Sequence, residues 1–289
     1  MKLTRGEKVF SVANYIFLTL FALITVYPFW DVLRVSLSTA AEANSTTFRF
    51  FPSEISWEGY KNVIANEFIW MGYKNTIIRV VVGVSIKMAL TILTAYPLSK
   101  KSLPHRNLIT SFIIFTMFFN AGMIPAYLNI KSLNLYNTLW ALVLPTALDS
   151  FNMFIMRNFF MGIPEELEES ARIDGANTLQ ILLKVILPVS MPIIMTVFMW
   201  STVQHWNSWF DCLIYIQDYD KYTLSAILRK IVIDATPQFD NMPEDGLVNL
   251  NVEVIKCATI IVSTLPIMAI YPFVQKHFVR GVMVGSLKG

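Results

Sequence analysis

Apolar residues in this chain gather into runs long enough to cross a lipid bilayer. A transmembrane helix needs about 20 mostly apolar residues to cross roughly 30 Å of hydrocarbon. Four runs contain no Asp, Glu, Lys or Arg: Val9 to Trp30, Asn107 to Ile130, Val185 to Phe210 and Cys257 to Gln275. Two further runs, from about Asn75 to Ser99 and from about Leu135 to Met156, bring the predicted spans to six.

These runs predict helices. Strands of a membrane barrel alternate apolar and polar residues, and none of the six runs does so. The prediction is therefore an all-α, polytopic membrane protein with six transmembrane helices, forming a single transmembrane domain over residues 1–289.

Composition agrees with the pattern. The chain is 55% hydrophobic and 15% charged, with a mean hydropathy of +0.52, whereas soluble domains contain about 25% charged residues. The first apolar run is longer than the roughly 7 to 15 residues of a secretory signal core. Asp31 and Arg34 also separate it from the small residues Ala41 to Ala43, so a retained span is the better interpretation.

Basic residues orient the spans, since Lys and Arg are enriched in cytoplasmic loops. With the N-terminus in the cytoplasm, the following residues lie inside: Lys2, Arg5, Lys8, Lys100, Lys101, Arg106, Arg157, Arg172, Lys184, Lys276, Arg280 and Lys288. The short outer loop near Lys131 carries only that one basic residue. Both termini are therefore expected to be cytoplasmic.

Two cysteines, Cys212 and Cys257, are too few for a disulfide framework or a Cys-based metal site. Both are predicted near the outer ends of neighbouring spans, so one bridge between them is geometrically conceivable. Two unpaired, partly buried thiols are the favoured interpretation.

The segment from residue 164 to 188 is polar and lies between two spans. Pro164 suits a first helical position, and the four glutamates that follow offset the positive end of a helix dipole. Gly175 can adopt the left-handed conformation that ends helices, and Asn177 is a good N-cap for a second helix from Thr178 to Leu187. We expect two short helices joined by a sharp turn.

The first of these helices carries an apolar ridge at a spacing of four, made by Ile163, Leu167 and Ala171. Such a helix can lie in a groove on a partner protein. Periodicity alone equally allows it to pack on its own protein.

The order of residues resembles a known loop. Glu169-Ser170-Ala171, three residues, Gly175, nine residues, then Val185-Ile186-Leu187-Pro188 is similar to the EAA loop of permease subunits in bacterial ATP-binding-cassette (ABC) importers. Ser170 and Val185 depart from the pattern and are conservative in size. The six spans, the long second outer segment and the ending Phe278 to Gly289 resemble the sugar-importing branch that includes the maltose permease pair.

The resemblance implies a type I ABC importer permease fold in a heteromeric complex. The EAA loop would act as a coupling helix that docks on a cytoplasmic ATPase, through Leu167, Glu169, Ala171, Arg172, Asp174 and Gly175. Implied partners are a second homologous permease, two ATPase copies, an extracytoplasmic solute-binding protein, an oligosaccharide and membrane lipid, with no nucleic acid. The tail near Gly285 to Gly289 would reach the ATPase, or it is simply a flexible glycine-containing end.

ATP chemistry is expected elsewhere, because the chain has no Gly-x4-Gly-Lys-Ser/Thr phosphate loop. ATP and Mg²⁺ would be bound by the partner ATPase, and this chain would hold no cofactor, no metal and no catalytic residue. A membrane enzyme is disfavoured, since no hydrolytic triad order, metal motif or carboxylate pair is present. The alternative transport class is a self-sufficient secondary transporter or channel, against which the absence of an internal repeat argues.

Ionisable residues inside spans usually face a protein interior or a watery cavity. Lys87 in the second span and Asp149 in the fourth are such residues, and they could pair to fix helix packing. Alternatively, Lys87, with Arg79 nearer the outer mouth, lines a pathway that favours an anionic substrate.

Amides and aromatic rings near the polar ends of spans 3 to 5 suit sugar binding, through stacking and hydroxyl hydrogen bonds. The candidate pathway residues are Asn120, Asn152, His205, Trp206 and Asn207. Tryptophans at these depths also form interfacial belts, and His205 is more simply an interfacial histidine with satisfied hydrogen bonds.

The outer segments, about 31–74 and 211–256, are rich in aromatic residues. They are interpreted as a docking scaffold for a soluble binding protein, as a self-packed cap, or as both. The stretches Phe119 to Pro145 and His205 to Phe210 resemble importers of oligosaccharides, including uronate-containing ones. The expected protein is thus a permease subunit of an ATP-driven, binding-protein-dependent oligosaccharide importer in the bacterial cytoplasmic (inner) membrane.

Overall fold

The computed structural model describes residues 4–43, 45, 49–119, 121–233 and 252–286, without the side chains of residue 5, residue 271 and residues 273–286. All regular structure in this described part is helical. The α-helices are α1 (Arg5–Ser36), α2 (Ala40–Ala43), α3 (Glu58–Ala65), α4 (Glu67–Ser99), α5 (Arg106–Phe118), α6 (Met123–Ser132), α7 (Leu139–Val143), α8 (Ser150–Met161), α9 (Glu166–Ile173), α10 (Thr178–Ile181), α11 (Leu187–Val189), α12 (Met191–Asn207), α13 (Phe210–Tyr215), α14 (Leu224–Ile233) and α15 (Val252–Ser286).

Three helices are individually long and apolar enough to cross a membrane: α1, α4 and the first part of α15. Three more candidates are pairs of helices joined through a bend, so the described residues supply six spans if each pair is one span. The all-α membrane architecture predicted from the apolar runs is confirmed. The long helices extend beyond the predicted spans, because α1 continues to Ser36 and α4 already begins at Glu67.

Two of the three bends lie beside prolines, which interrupt the helix hydrogen bonds. The predicted fourth span is α7 and a 3-10 turn (Leu144–Thr146) followed by α8, with a bend of 46°. The predicted fifth span is interrupted at Ser190, between Pro188 and Pro192, where the segment Thr178–Val189 meets α12 at 83°. This run therefore consists of two helical segments at a steep angle rather than one straight helix.

The described residues fall into two compact units, one within Met1–Glu67 and Leu228–Leu265, the other within Phe68–Ile227 and Pro266–Gly289. In the first unit, Gly59 of α3 lies against α15, where an added Cβ would be 2.8 Å from Val254 Cγ1. The Trp30 ring stacks on Phe50, and the Trp30 indole N–H donates to the Phe50 carbonyl at 2.8 Å. These contacts hold its outer aromatic residues together.

The second unit contains the polar loop and a buried core at one end of α4. The buried members of this core are Ala95, Tyr96, Leu98, Met153, Met156, Phe160, Ile181, Leu182, Ile186 and Val197. They come from α4, α8, the α10–α11 segment and α12. Arg157 adds a polar link, since its Nε donates to the Leu98 carbonyl at 2.8 Å. The loop is thus built onto the ends of three membrane helices.

Candidate functional site

The polar loop forms the predicted pair of short helices. Gly175 has φ +81°, and Asn177 caps α10 through a reciprocal pair of hydrogen bonds with Gln180, both 2.9 Å. Both local predictions are confirmed. The first helix begins at Glu166 rather than Pro164, and the second is α10 followed by a π turn (Leu182–Ile186) and α11.

One glutamate anchors the loop to the membrane helices. The Glu168 carboxylate is buried and forms an ion pair with Lys100, just beyond the end of α4. The Tyr96 hydroxyl lies 3.5 Å from the same carboxylate, and Lys100 Nζ lies 4.7 Å from the Tyr96 ring centroid. Arg172 Nη2 approaches Glu168 at 3.9 Å from within α9. A buried carboxylate needs such partners, so Glu168 fixes α9 to the end of α4.

The three residues of the predicted apolar ridge do not share one environment. Ile163 and Ala171 pack against the buried core of the chain itself, whereas Leu167 is 40% exposed. The ridge is therefore wrong as a single partner-facing surface, because Ala171 lies next to the inward-facing Glu168. The most exposed apolar side chain of α9 is Ile173, at 87%.

The remaining predicted coupling residues are accessible. Glu169, Arg172, Asp174 and Gly175 are exposed, and Ala171 is half-buried. We define the loop face as the exposed set Leu167, Glu169, Arg172, Ile173 and Asp174. It combines two apolar side chains with charges of both signs, which is a composition suited to a protein partner.

Arg79 was predicted to line a pathway, but its side chain is only 1% exposed. Its guanidinium pairs with the Asp211 carboxylate and donates to the Ser208 carbonyl at 3.1 Å. Arg79 therefore connects α4 to the start of α13 and is internally neutralised.

Lys87 and Asp149 do not form the ion pair offered as one interpretation. Lys87 is fully buried and Lys87 Nζ donates to Gln204 Oε1 at 2.6 Å. Asp149 caps α8 by accepting from the Asn152 backbone N–H at 2.9 Å. Asn152 is buried beside this cap, and Asn120 lies outside the described residues.

The predicted residues at the end of α12 have three different environments. His205 is buried against α4, where an added Cβ on Gly83 would be 2.7 Å from His205 Cε1. Trp206 is buried edge-on to Tyr73, with ring centroids 6.3 Å apart. Asn207 is exposed. An interfacial belt does not describe Trp206, and both His205 ring nitrogens are buried without a hydrogen-bond partner.

A polar clamp joins two loops near the predicted outer side. Asn137, at φ +61°, donates from Nδ2 to Asp218 Oδ2 at 2.8 Å, and Lys221 Nζ donates to the same oxygen at 2.8 Å. Asn137 Oδ1 accepts from the Gln217 and Asp218 backbone N–H groups at 3.0 and 3.1 Å. Hydrogen bonds from Lys221 and Asn137 lower the pKa of Asp218, since they favour its ionised form.

Outer aromatic residues pack on one another, as the self-packed interpretation expected. Tyr219 lies 4.9 Å from both Phe68 and Tyr222, between ring centroids. This does not exclude docking of a binding protein. Residues 234–251 of the second outer segment and residues 287–289 of the tail lie outside the described part, and both cysteines are free thiols.

Sequence reasoning missed three residues that organise these sites: Glu168, Lys100 and Asp211. Each acts through a partner far along the chain, such as the separation of 132 residues between Arg79 and Asp211. A weak signal was present for one of them, because Lys100 and Lys101 directly follow a predicted span and face an acidic loop.

Known proteins resemble the chain over almost its full length. A polygalacturonan/rhamnogalacturonan transport system permease, YtcP of Bacillus subtilis, is 40% identical over 284 residues, covering 98% of this chain and 99% of the relative. The Bacillus subtilis protein LplC is also 40% identical, covering 99% and 97%. A chain from the crystal structure of a bacterial ABC transporter for import of the acidic polysaccharide alginate matches with a TM-score of 0.89. It is 32% identical, covering 96% of this chain and 99% of that one.

The family description agrees with the resemblance seen in the loop. The model of the binding-protein-dependent transport system inner membrane component matches residues 5–284. That span includes every helix from α1 to α14 and almost all of α15. The chain therefore belongs to the family of inner-membrane components of binding-protein-dependent transport systems, as a non-catalytic permease subunit.

Proposed function

We propose that this chain is one membrane half of an ATP-driven importer of acidic oligosaccharides, and that an ATPase docks on the loop face. Its partners would be a second permease, two ATPase copies that bind ATP and Mg²⁺, and an extracytoplasmic solute-binding protein. It would span a bacterial cytoplasmic membrane several times, with both termini in the cytoplasm.

The observation that carries this proposal is the two-sidedness of α9. Glu168 and Ala171 fix the helix to the chain's own core, while Ile173 projects into solvent and Leu167, on the same face as Ala171, is 40% exposed. An isoleucine that is 87% exposed on a polar loop gains nothing from the chain itself. Its burial against a partner stabilises a complex by about 1.5–3 kcal/mol.

Anchoring matters as much as exposure for this role. A helix that moved freely would absorb the displacement of a docked ATPase without passing it on. Because α9 is held to the end of α4 by a buried ion pair, and to α8 and α12 through the shared core, displacement of α9 reaches three membrane helices. Arg172 would contribute both to anchoring, because it lies 3.9 Å from Glu168, and to ATPase docking, because it remains exposed.

The substrate class is supported by the relatives. One is named for polygalacturonan and rhamnogalacturonan transport, and the similar crystal structure comes from an importer of alginate. These are polymers that contain sugar acids. A buried cation in the second span, Lys87, fits such cargo better than a neutral sugar.

Ile173→Glu tests the docking surface. This substitution removes no internal contact, because the side chain projects into solvent, yet it places a charge in the middle of the loop face. In the complex purified with its ATPase, we expect the ATPase affinity to fall about 10- to 100-fold, as the lost burial energy requires. Oligosaccharide uptake should fall with it.

Ile55→Glu is the matched control, since Ile55 is also exposed but lies in the first outer segment. This variant should retain the ATPase fully. Equal ATPase retention and equal uptake in the two variants would contradict docking at the loop face.

A further inference from the structure

Helix α4 carries two buried cations just over two turns apart, and only one of them has a carboxylate partner. Arg79 is neutralised by Asp211. Lys87 donates to the neutral amide oxygen of Gln204 and forms no ion pair with any carboxylate in the described part of the chain. The two positions differ in pairing although both are fully enclosed.

An ammonium inside a membrane span is costly unless it is paired or hydrogen-bonded. Asp149, which the sequence offered as a partner for Lys87, uses its Oδ1 to cap α8. Asp211 thus pairs directly with Arg79, whereas no carboxylate in the described part of the chain lies within ion-pair distance of Lys87, and the charge of Asp149 acts on it only from farther away.

Lys87 does not stand alone as a polar group between α4 and α12. Three other buried side chains on these helices have polar atoms without a hydrogen-bond partner among the described residues: Thr91 Oγ1, Ser201 Oγ and both ring nitrogens of His205. Thr91 follows Lys87 by four residues and Ser201 precedes His205 by four, so each pair shares a helix face. Buried polar atoms are rarely left unpaired. We call this group, with Lys87, the polar seam.

Gln204 controls access to the seam. It is exposed, whereas the Lys87 ammonium that it touches at 2.6 Å is buried. The amide oxygen of Gln204 therefore occupies the position from which an outside oxygen would reach Lys87. A carboxylate oxygen there would form a stronger bond than the amide, since both groups would be charged.

We propose that the polar seam is a carboxylate-binding site for a sugar acid of the oligosaccharide in transit, and that the carboxylate displaces Gln204 from Lys87. This rests on the proposed import of acidic oligosaccharides. Lys87 supplies the charge, the hydroxyls of Thr91 and Ser201 supply hydrogen bonds, and Gln204 holds the ammonium between transport events.

The test compares two substitutions of the exposed Gln204 in the complete transporter, reconstituted in vesicles. Gln204→Glu places a permanent carboxylate on Lys87 and should lower import of trigalacturonate about tenfold or more. Gln204→Ala removes the amide that competes for Lys87 and should lower the trigalacturonate concentration that gives half-maximal import. Because the position is exposed, neither variant removes core packing. Equal import by the two variants would overturn the proposal.

Two lysine-to-methionine variants on α4, each removing one positive charge, give a second test. Lys87→Met should lower import of trigalacturonate much more than import of a neutral trigalactoside of the same linkage, which lacks the carboxylates. Lys74→Met removes an exposed cation from the same helix and should leave both rates unchanged. Equal losses for the two sugars in Lys87→Met, or equal effects of the two methionine variants, would contradict the site.

These outcomes are separate from failure of the proposed function. A wild-type complex that retains its ATPase and binding protein but does not import trigalacturonate would refute the substrate class. A wild-type complex that imports it, with Gln204→Glu importing equally well, would refute only the carboxylate site.

Discussion

Removing Lys100 should loosen α9 more than neutralising Glu168 does. The Glu168 side chain is 9% exposed and that of Lys100 is 27% exposed. An unpaired charge therefore costs more at Glu168 than at Lys100. Breaking a fully buried pair costs about 3–5 kcal/mol. Partial access of water and the nearby Arg172 reduce this, and we expect about 2 kcal/mol for Lys100→Met. Glu168→Gln leaves an ammonium that reaches water, at a cost of about 1 kcal/mol.

Hydrogen exchange of the α9 amides, measured by mass spectrometry in the assembled transporter, reports this local opening. Since 1.4 kcal/mol corresponds to a factor of ten, exchange should accelerate about 30-fold in Lys100→Met and about fivefold in Glu168→Gln. The double variant should exchange more slowly than Lys100→Met alone, because no buried charge is then left unpaired.

Lys101→Met is the matched control for this measurement. Its ammonium lies 3.7 Å from Glu165, but both side chains are strongly exposed, so the pair contributes little. Exchange in α9 should stay within about twofold of wild type. The anchoring argument fails if Lys100→Met behaves like Lys101→Met, or if the double variant opens α9 more than either single one.

Three further predictions concern other features. Gly175→Ala should destabilise the turn after α9 by about 1 kcal/mol, since the φ of Gly175 is +81°. Hydrogen exchange of the amides in this turn measures the effect, and Gly162→Ala should change that exchange less. Gly83→Ala should lower the unfolding free energy by about 1–3 kcal/mol through overpacking against His205, and His205→Ala should recover part of this in thermal unfolding. The lowered pKa of Asp218 means that its clamp is intact above the ordinary value of about 4 and is lost as pH falls through the lowered value. Hydrogen exchange of the Gln217 and Asp218 backbone amides, which the clamp helps hold, should accelerate in acid. Asp218→Asn should abolish this acceleration.

The sequence was most informative about local structure and membrane crossing. Gly175 and Asn177 act through their own backbone geometry or through neighbours three residues away, so their roles were predictable. The apolar runs were long enough to predict spans without any tertiary information. Two of the three bends lie beside prolines, one at Pro145 and one between Pro188 and Pro192.

Which side of α9 is buried was not predictable in the same way. Three glutamates occupy its first turns after Glu165 at the N-cap, and nothing local separates Glu168 from Glu169. The choice depends on Lys100, which comes from another helix and lies 68 residues earlier. Arg79 illustrates the same limit, since a lone cation in an apolar run looks like a pathway residue until Asp211 is found beside it.

The 83° turn at Ser190 separates two sets of side chains along one continuous stretch of chain. Gln204 lies 13 residues beyond Met191, the first residue of α12, which corresponds to about 20 Å of helix. The exposed residues proposed to receive the ATPase therefore lie on a different segment of the chain from Gln204, which is proposed to contact the sugar. Different residues would thus recognise the motor and the cargo, so the two specificities can diverge separately during evolution.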